Sequence, residues 1–174
     1  EELNLTRAQL SDEAGAAIAI ALARAGTALK LLKLGSNPGL SRQAAHELGC
    51  LMAANKSIQE LRLQSCELGD EAGAELLEAL ARRSETSSAL CALILDDNCL
   101  RAGAAGAAAA ALRAGTLRAL QWLRLGRNHF SSSHEALVRA GWEETKDSRP
   151  ADAFLELGTS RRRRRRRRRR IRRT

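Results

Sequence analysis

The segment from Leu90 to Leu100 carries a leucine pattern that strongly limits how this chain can fold. It reads L-x-x-L-x-L-x-x-N-x-L, with leucines at 90, 93, 95 and 100 and an asparagine at 98. The two leucines of the L-x-L core share one face of a short strand, because side chains alternate along an extended chain. The Asn98 side chain can bind backbone groups of the turn that leaves the strand, which an apolar side chain cannot do.

The same pattern recurs along the chain. The second leucine of each core is Leu5, Leu34, Leu63, Leu95 or Leu125, at spacings of 29, 29, 32 and 30 residues. The position three residues later holds Asn37, Asn98 and Asn128 in three units and Cys66 in another. A chance apolar run would not keep asparagine or cysteine in phase, so we predict an array of similar units.

The segments between the predicted strands have helical spacing. In residues 70–83 the leucines lie at 76, 77 and 80, which places them on one helical face. Asp70 is expected to be the N-cap of this helix, and Ser41 is expected to cap the preceding one. Each unit is therefore predicted to be one strand followed by one helix.

A unit of about 29 residues with a full helix resembles the leucine-rich repeat, and specifically its ribonuclease-inhibitor-like subclass. The segments S-D-E-A-G after Leu10 and G-D-E-A-G after Leu68 strengthen the resemblance, which covers roughly residues 1–140. That subclass includes ribonuclease inhibitor, the repeats of NOD-like receptors and the Ran GTPase-activating protein. The resemblance implies an α/β fold, a right-handed βα solenoid with parallel strands on its concave side and helices on its convex side.

The repeats divide the chain into three parts. We predict about five leucine-rich repeats in residues 1–142, followed by a linker and a disordered poly-Arg tail. The repeats are 1–28, 29–57, 58–88, 89–116 and 117–142; the linker is 143–160 and the tail is 161–174. Because the chain begins within a strand pattern, we expect it to be a fragment of a longer repeat protein. Trp142 is expected to cover one end of the stack.

The positive charge of the chain is a property of its tail. The net charge is +9, but the last 14 residues hold 12 of the 29 basic side chains, and the remainder is slightly acidic. The tail is expected to bind polyanions without sequence selectivity, to act as a nuclear address, or to have no selected role. The candidate polyanion-binding residues are Arg161, Arg162, Arg163, Arg164, Arg165, Arg166, Arg167, Arg168, Arg169 and Arg170.

The concave face supplies the candidate partner-binding residues. The residue between the two core leucines points to this face and is basic in three repeats, which predicts a basic stripe. An acidic pair and a Trp/Arg cluster lie beside the stripe, and Trp and Arg are frequent interface hot spots. The candidates are Lys33, Arg62, Asp96, Asp97, Trp122, Arg124 and Arg127.

No nucleophile–base set, phosphate loop or metal-ligand spacing is recognisable, so we expect neither catalysis nor a cofactor. The four cysteines are expected to be reduced thiols of a cytoplasmic or nuclear, monomeric protein. The favoured function is a non-enzymatic scaffold that binds a protein partner. The alternatives are a small-GTPase regulator, implied by resemblance to the Ran GTPase-activating protein, and a nucleic-acid-associated protein acting through the tail.

Overall fold

The x-L-x-L segments form the strands of one parallel sheet. The computed structural model describes residues 1–26, 28–82, 89–117 and 119–158. In these ranges six strands lie side by side in chain order, with their core leucines in register. They are β1 (Glu2–Asn4), β2 (Leu31–Lys33), β3 (Glu60–Arg62), β4 (Ala92–Ile94), β5 (Trp122–Arg124) and β6 (Phe154–Glu156). The α/β solenoid predicted from the sequence is confirmed.

One helix follows each of the first five strands, and consecutive helices pack side by side. The helices are α1 (Asp12–Ala25), α2 (Arg42–Ala54), α3 (Asp70–Ala81), α4 (Ala102–Arg113) and α5 (Ser132–Glu144), and a 3-10 turn spans Lys146–Ser148. Leucines from strands and helices, such as Leu61 and Leu77, are completely buried in one shared core. Among the described residues, no helix is long and apolar enough to cross a membrane.

The in-phase asparagines bind neighbouring repeats to one another. Asn98 Nδ2 donates to the carbonyl oxygens of Leu63 and Leu95, at 2.9 and 3.0 Å, while its Oδ1 accepts from the backbone of Cys66 and Leu68. Asn37 and Asn128 make equivalent bonds. These contacts satisfy backbone groups that the turn would otherwise leave buried without partners.

The helix-cap prediction for Asp70 is wrong, and the reason is a contact between repeats. Asp70 is the first residue of α3, and its carboxylate accepts hydrogen bonds from the backbone N–H groups of Arg101, Gly103 and Ala104 at the start of α4. Asp12 caps the start of α2 in the same way, and the Ser41 side chain makes no cap bond there. A carboxylate in one repeat therefore caps the helix of the next.

The segment 143–160, for which the sequence predicts a linker, instead contains the end of α5, the 3-10 turn and strand β6. The linker prediction is wrong at Phe154–Glu156, which pairs in parallel with β5. Leu155 and Leu157 pack against the core, and the Leu125 N–H donates to the Glu156 carbonyl at 2.9 Å. The L-x-L phase alone is sufficient for a strand here, although position 160 is Ser rather than Asn.

Trp142 and Arg149 pack together near this end of the sheet. Trp142 is buried in the shared core, and the Arg149 guanidinium lies 4.1 Å from the centre of its ring. Arg149 Nη1 also donates to the Trp142 carbonyl at 3.1 Å. Burial lowers the pKa of Arg149 below its usual value. Trp142 is therefore a core residue that holds the segment leading to β6.

Candidate protein-interaction face

Two rows of side chains lie on the sheet face opposite the buried leucines, and we call this surface the open face. The first row precedes the core leucine of each strand and the second row follows it. The first row is Glu2, Leu31, Glu60, Ala92, Trp122 and Phe154; the second is Asn4, Lys33, Arg62, Ile94, Arg124 and Glu156. Because every strand is in register, each row forms a continuous line across the sheet.

The basic stripe predicted from the second row is neutralised by acidic neighbours. Lys33 Nζ lies 2.6 Å from Glu2 Oε1 on the adjacent strand. Arg62 Nε lies 2.5 Å from Glu60 Oε1 on its own strand. Lys33 and Arg62 do lie in one row, but each is paired with a carboxylate of the first row, which reduces the net positive charge of the stripe.

Arg124, on β5, lies between two carboxylates of the open face. Its Nε is 2.8 Å from Asp96 Oδ2 and 2.9 Å from Glu156 Oε2, although its N–H bond points directly at neither oxygen. Asp96 is almost fully buried, and its Oδ1 accepts from the Gly126 N–H at 2.7 Å. Burial raises the pKa of Asp96 despite the opposing influences of Arg124 and the Gly126 N–H. This cluster ties β4, β5 and β6 together.

Two exposed aromatic side chains lie next to each other on the open face. Trp122 is 47% exposed and Phe154 is 55% exposed, and the two residues are register partners on β5 and β6. Large apolar surfaces rarely stay in water unless they have a function, and adjacent aromatic residues are a feature of protein interfaces.

A depression of about 470 Å³ on the open face is lined by these two aromatics and by charged side chains. Its lining carries three basic and three acidic side chains, so its formal charge is balanced. The lining residues are Glu60, Arg62, Gln64, Ile94, Asp96, Trp122, Arg124, Arg127, Phe154 and Glu156. Balanced charge beside apolar surface suits a protein partner better than a polyanion.

Asp97 and Arg127 lie where β4 and β5 turn towards their helices, and both have left-handed backbone conformations, with φ of 58° and 56°. Asp97 Oδ2 accepts from the Ser65 hydroxyl at 3.1 Å. Arg127 is exposed beside the depression. Asp97 therefore binds the neighbouring turn, while Arg127 presents a cation to solvent.

The structure brings five of the seven predicted partner-binding residues to the depression: Arg62, Asp96, Trp122, Arg124 and Arg127. Lys33 and Asp97 lie outside it. Phe154 and Glu156 were missed with β6, although the sequence F-L-E-L matches W-L-R-L in β5. The predicted polyanion site at 161–170 lies outside the described residues. Within the described ranges, no group of three or more His, Cys, Asp or Glu side chains could hold a metal ion.

Comparison with known proteins finds a solved structure with a similar fold. No family model and no curated protein matches the chain. The fold is similar to the solved structure of the leiomodin-1 actin-binding site 2, with a TM-score of 0.64. The match covers 84% of this chain and 80% of that one, at 18% sequence identity. At this level of identity the match shows a shared fold, that of parallel strands alternating with helices.

Proposed function

We propose that this protein is a non-enzymatic interaction module that binds a protein partner on its open face. The observation that carries the proposal is the pair of exposed aromatics, Trp122 and Phe154, beside the charge-balanced depression. Trp and Arg are enriched among interface hot spots, and the centre of such a patch is where they act most strongly. Extended sheets of this kind serve as binding surfaces in repeat proteins.

The open face offers the partner three kinds of contact. Trp122 and Phe154 provide apolar surface, and Arg127 provides an exposed cation. Arg124 is held between Asp96 and Glu156, so it supports the shape of the site more than it recruits a partner. We therefore expect the partner to place an apolar side chain on the aromatic pair and a carboxylate near Arg127.

We also propose that the repeats are of the ribonuclease-inhibitor-like subclass and that the protein resides in a reducing compartment. Spacings of 29 to 32 residues and helices of 12 to 14 residues support the ribonuclease-inhibitor-like subclass. The four cysteines are free thiols, which supports a reducing location such as the cytoplasm or nucleus.

The experiment is affinity capture at moderate salt, with and without nuclease, using the full chain and a chain lacking residues 161–174. The proposal predicts that a defined protein is retained by both chains and lost on Trp122→Ala with Arg127→Glu. The matched control is Leu137→Ala with Arg139→Glu, which removes similar exposed groups from α5. Purified actin is a suitable first candidate, because leiomodin-1 has an actin-binding site of similar fold.

The outcomes separate this proposal from its alternatives. Binding that disappears with the tail or with nuclease would support the nucleic-acid hypothesis, and the open face would then lose its role. A captured small GTPase whose hydrolysis rate rises on addition of the protein would support the regulator hypothesis.

A further inference from the structure

A cysteine, a histidine and a carboxylate lie in line on the helical side of the molecule, away from the open face. Cys50 Sγ is 3.6 Å from His46 Nε2, and His46 Nδ1 is 3.0 Å from Glu75 Oε1. Arg42 Nε donates to the other Glu75 oxygen at 3.0 Å. Arg42, His46 and Cys50 follow one another at four-residue intervals along α2, and Glu75 projects from α3.

The contacts of the His46 ring determine which of its nitrogen atoms carries the proton. The side chain of Arg42, followed by that of His46, lowers the pKa of Glu75, so the group is a carboxylate at neutral pH. A carboxylate accepts hydrogen bonds only, so Nδ1 must carry the proton that points at Glu75. In the neutral ring, Nε2 then presents its lone pair to the thiol of Cys50, as in other nucleophile–base–carboxylate sets.

Access distinguishes Cys50 from the other cysteines. Cys50 is exposed, Cys91 and Cys99 are partly covered, and Cys66 is buried. Burial also raises the pKa of the Cys66 thiol, which opposes thiolate formation there. Cys91 Sγ contacts a backbone carbonyl, that of Ala89, rather than a base. Cys50 therefore combines an accessible sulfur with a positioned proton acceptor.

We propose that Cys50 is a site of reversible modification by small disulfides such as oxidised glutathione, with His46 as the base and Glu75 as its positioning residue. The Cys50 proton passes to His46 Nε2 as Sγ attacks one sulfur of the disulfide. The disulfide bond breaks, a mixed disulfide forms on Cys50, and the departing sulfur leaves as a thiolate that takes up a proton. Cys50 is oxidised and the departing half is reduced, so atoms and electrons balance.

The acceleration that His46 can give to disulfide exchange at Cys50 is limited by how much of a thiol is already ionised. An ordinary free thiol is only a few per cent thiolate at pH 7, so a base can accelerate the reaction by about tenfold. The exchange needs only access and a proton acceptor, which an open helix surface provides without a substrate pocket.

The experiment treats the full reduced chain with oxidised glutathione at pH 7 and follows modification of each cysteine by mass spectrometry. Cys50 is expected to react first. His46→Gln, which retains hydrogen-bonding atoms but no base, should slow Cys50 by about tenfold and leave Cys91 unchanged. Glu75→Gln should give a smaller loss at Cys50. Equal rates for Cys50 in the wild type and His46→Gln would overturn the proposal.

Cys66 reports whether each variant is folded, because it reacts only when the core opens. If Cys66 becomes reactive in His46→Gln, Glu75→Gln is the deciding variant. A slower Cys50 with Cys66 still protected then supports the proposal, and an unchanged Cys50 contradicts it. A result at Cys50 leaves the partner-binding proposal unaffected, because Cys50 is remote from Trp122 and Phe154 on the open face.

Discussion

At the scale of the residue, one asparagine in each of three repeats satisfies the backbone of two neighbouring turns. Asn98 donates to Leu63 and Leu95 and accepts from Cys66 and Leu68, and all of these groups are buried. Cys66 occupies the same position in its repeat, where its Sγ donates to the Leu34 carbonyl at 3.3 Å. The weaker thiol donor reproduces part of the asparagine contact.

Replacing Asn98 with alanine should destabilise the whole array. The change leaves buried carbonyl and N–H groups without partners, so we expect the free energy of unfolding to fall by about 3 kcal/mol. A urea titration at pH 7 measures the change. Asn4→Ala is the matched control, because the Asn4 side chain is exposed and its Oδ1 accepts a hydrogen bond from the nearby Thr6 N–H. Equal midpoints for the two variants would contradict the role given to Asn98.

At the scale of the element, the helices depend on carboxylates from the preceding repeat. Burial tends to raise the pKa of Asp70, but hydrogen bonds from Ala104, Gly103 and Arg101 outweigh it, and the pKa is lowered. Because the pKa of Asp70 is lowered in the folded state, its charged form stabilises the protein. This contribution is complete at pH values above the pKa of the unfolded state, about 3.9. That contribution is lost as the pH falls through the folded pKa.

Replacing Asp70 with alanine should therefore remove about 1 kcal/mol at pH 7, a typical cost of losing a helix cap. The difference between wild type and variant should stay constant from pH 7 down to about 4 and shrink at lower pH. Urea titrations across this range measure it. Glu78→Ala is the control, an exposed acidic residue on the same helix. A difference that grows in acid would show that Asp70 does not act through its charge.

The elements also show which features a single sequence can predict. The L-x-L pattern predicted five strands, because alternate side chains of a strand face the core and are therefore leucine in the sequence. Strand β6 was missed because position 160 is Ser, so the full motif is broken. The Glu60–Arg62 pair could have been predicted, since residues two apart face the same side. The Lys33–Glu2 and Asp70–α4 contacts join different repeats, so they required the register.

At the scale of the whole molecule, stability is a sum of repeats and the interfaces between them. Strand β6 adds backbone bonds to β5 and covers part of its edge with Leu155 and Leu157. It also supplies Phe154 and Glu156 to the open face. The end of the stack therefore contributes to both stability and the candidate site.

Ending the chain after Asp152 should lower the free energy of unfolding by about 2 kcal/mol, the value of burying one leucine-sized side chain. Ending it after Ser160 removes only the arginine tail and is the matched control. Thermal and urea unfolding of the two truncated chains measure the difference. Identical stabilities would show that β6 adds nothing to the fold.

The central claim is that the open face binds the partner, and the dissociation constant of the captured protein tests it most directly. Trp122→Ala with Arg127→Glu should weaken binding by about thirtyfold or more, because a hot-spot residue contributes about 2 kcal/mol or more. Leu137→Ala with Arg139→Glu on α5 should leave the constant unchanged. Equal affinities for the two double variants would place the binding surface elsewhere and contradict the claim.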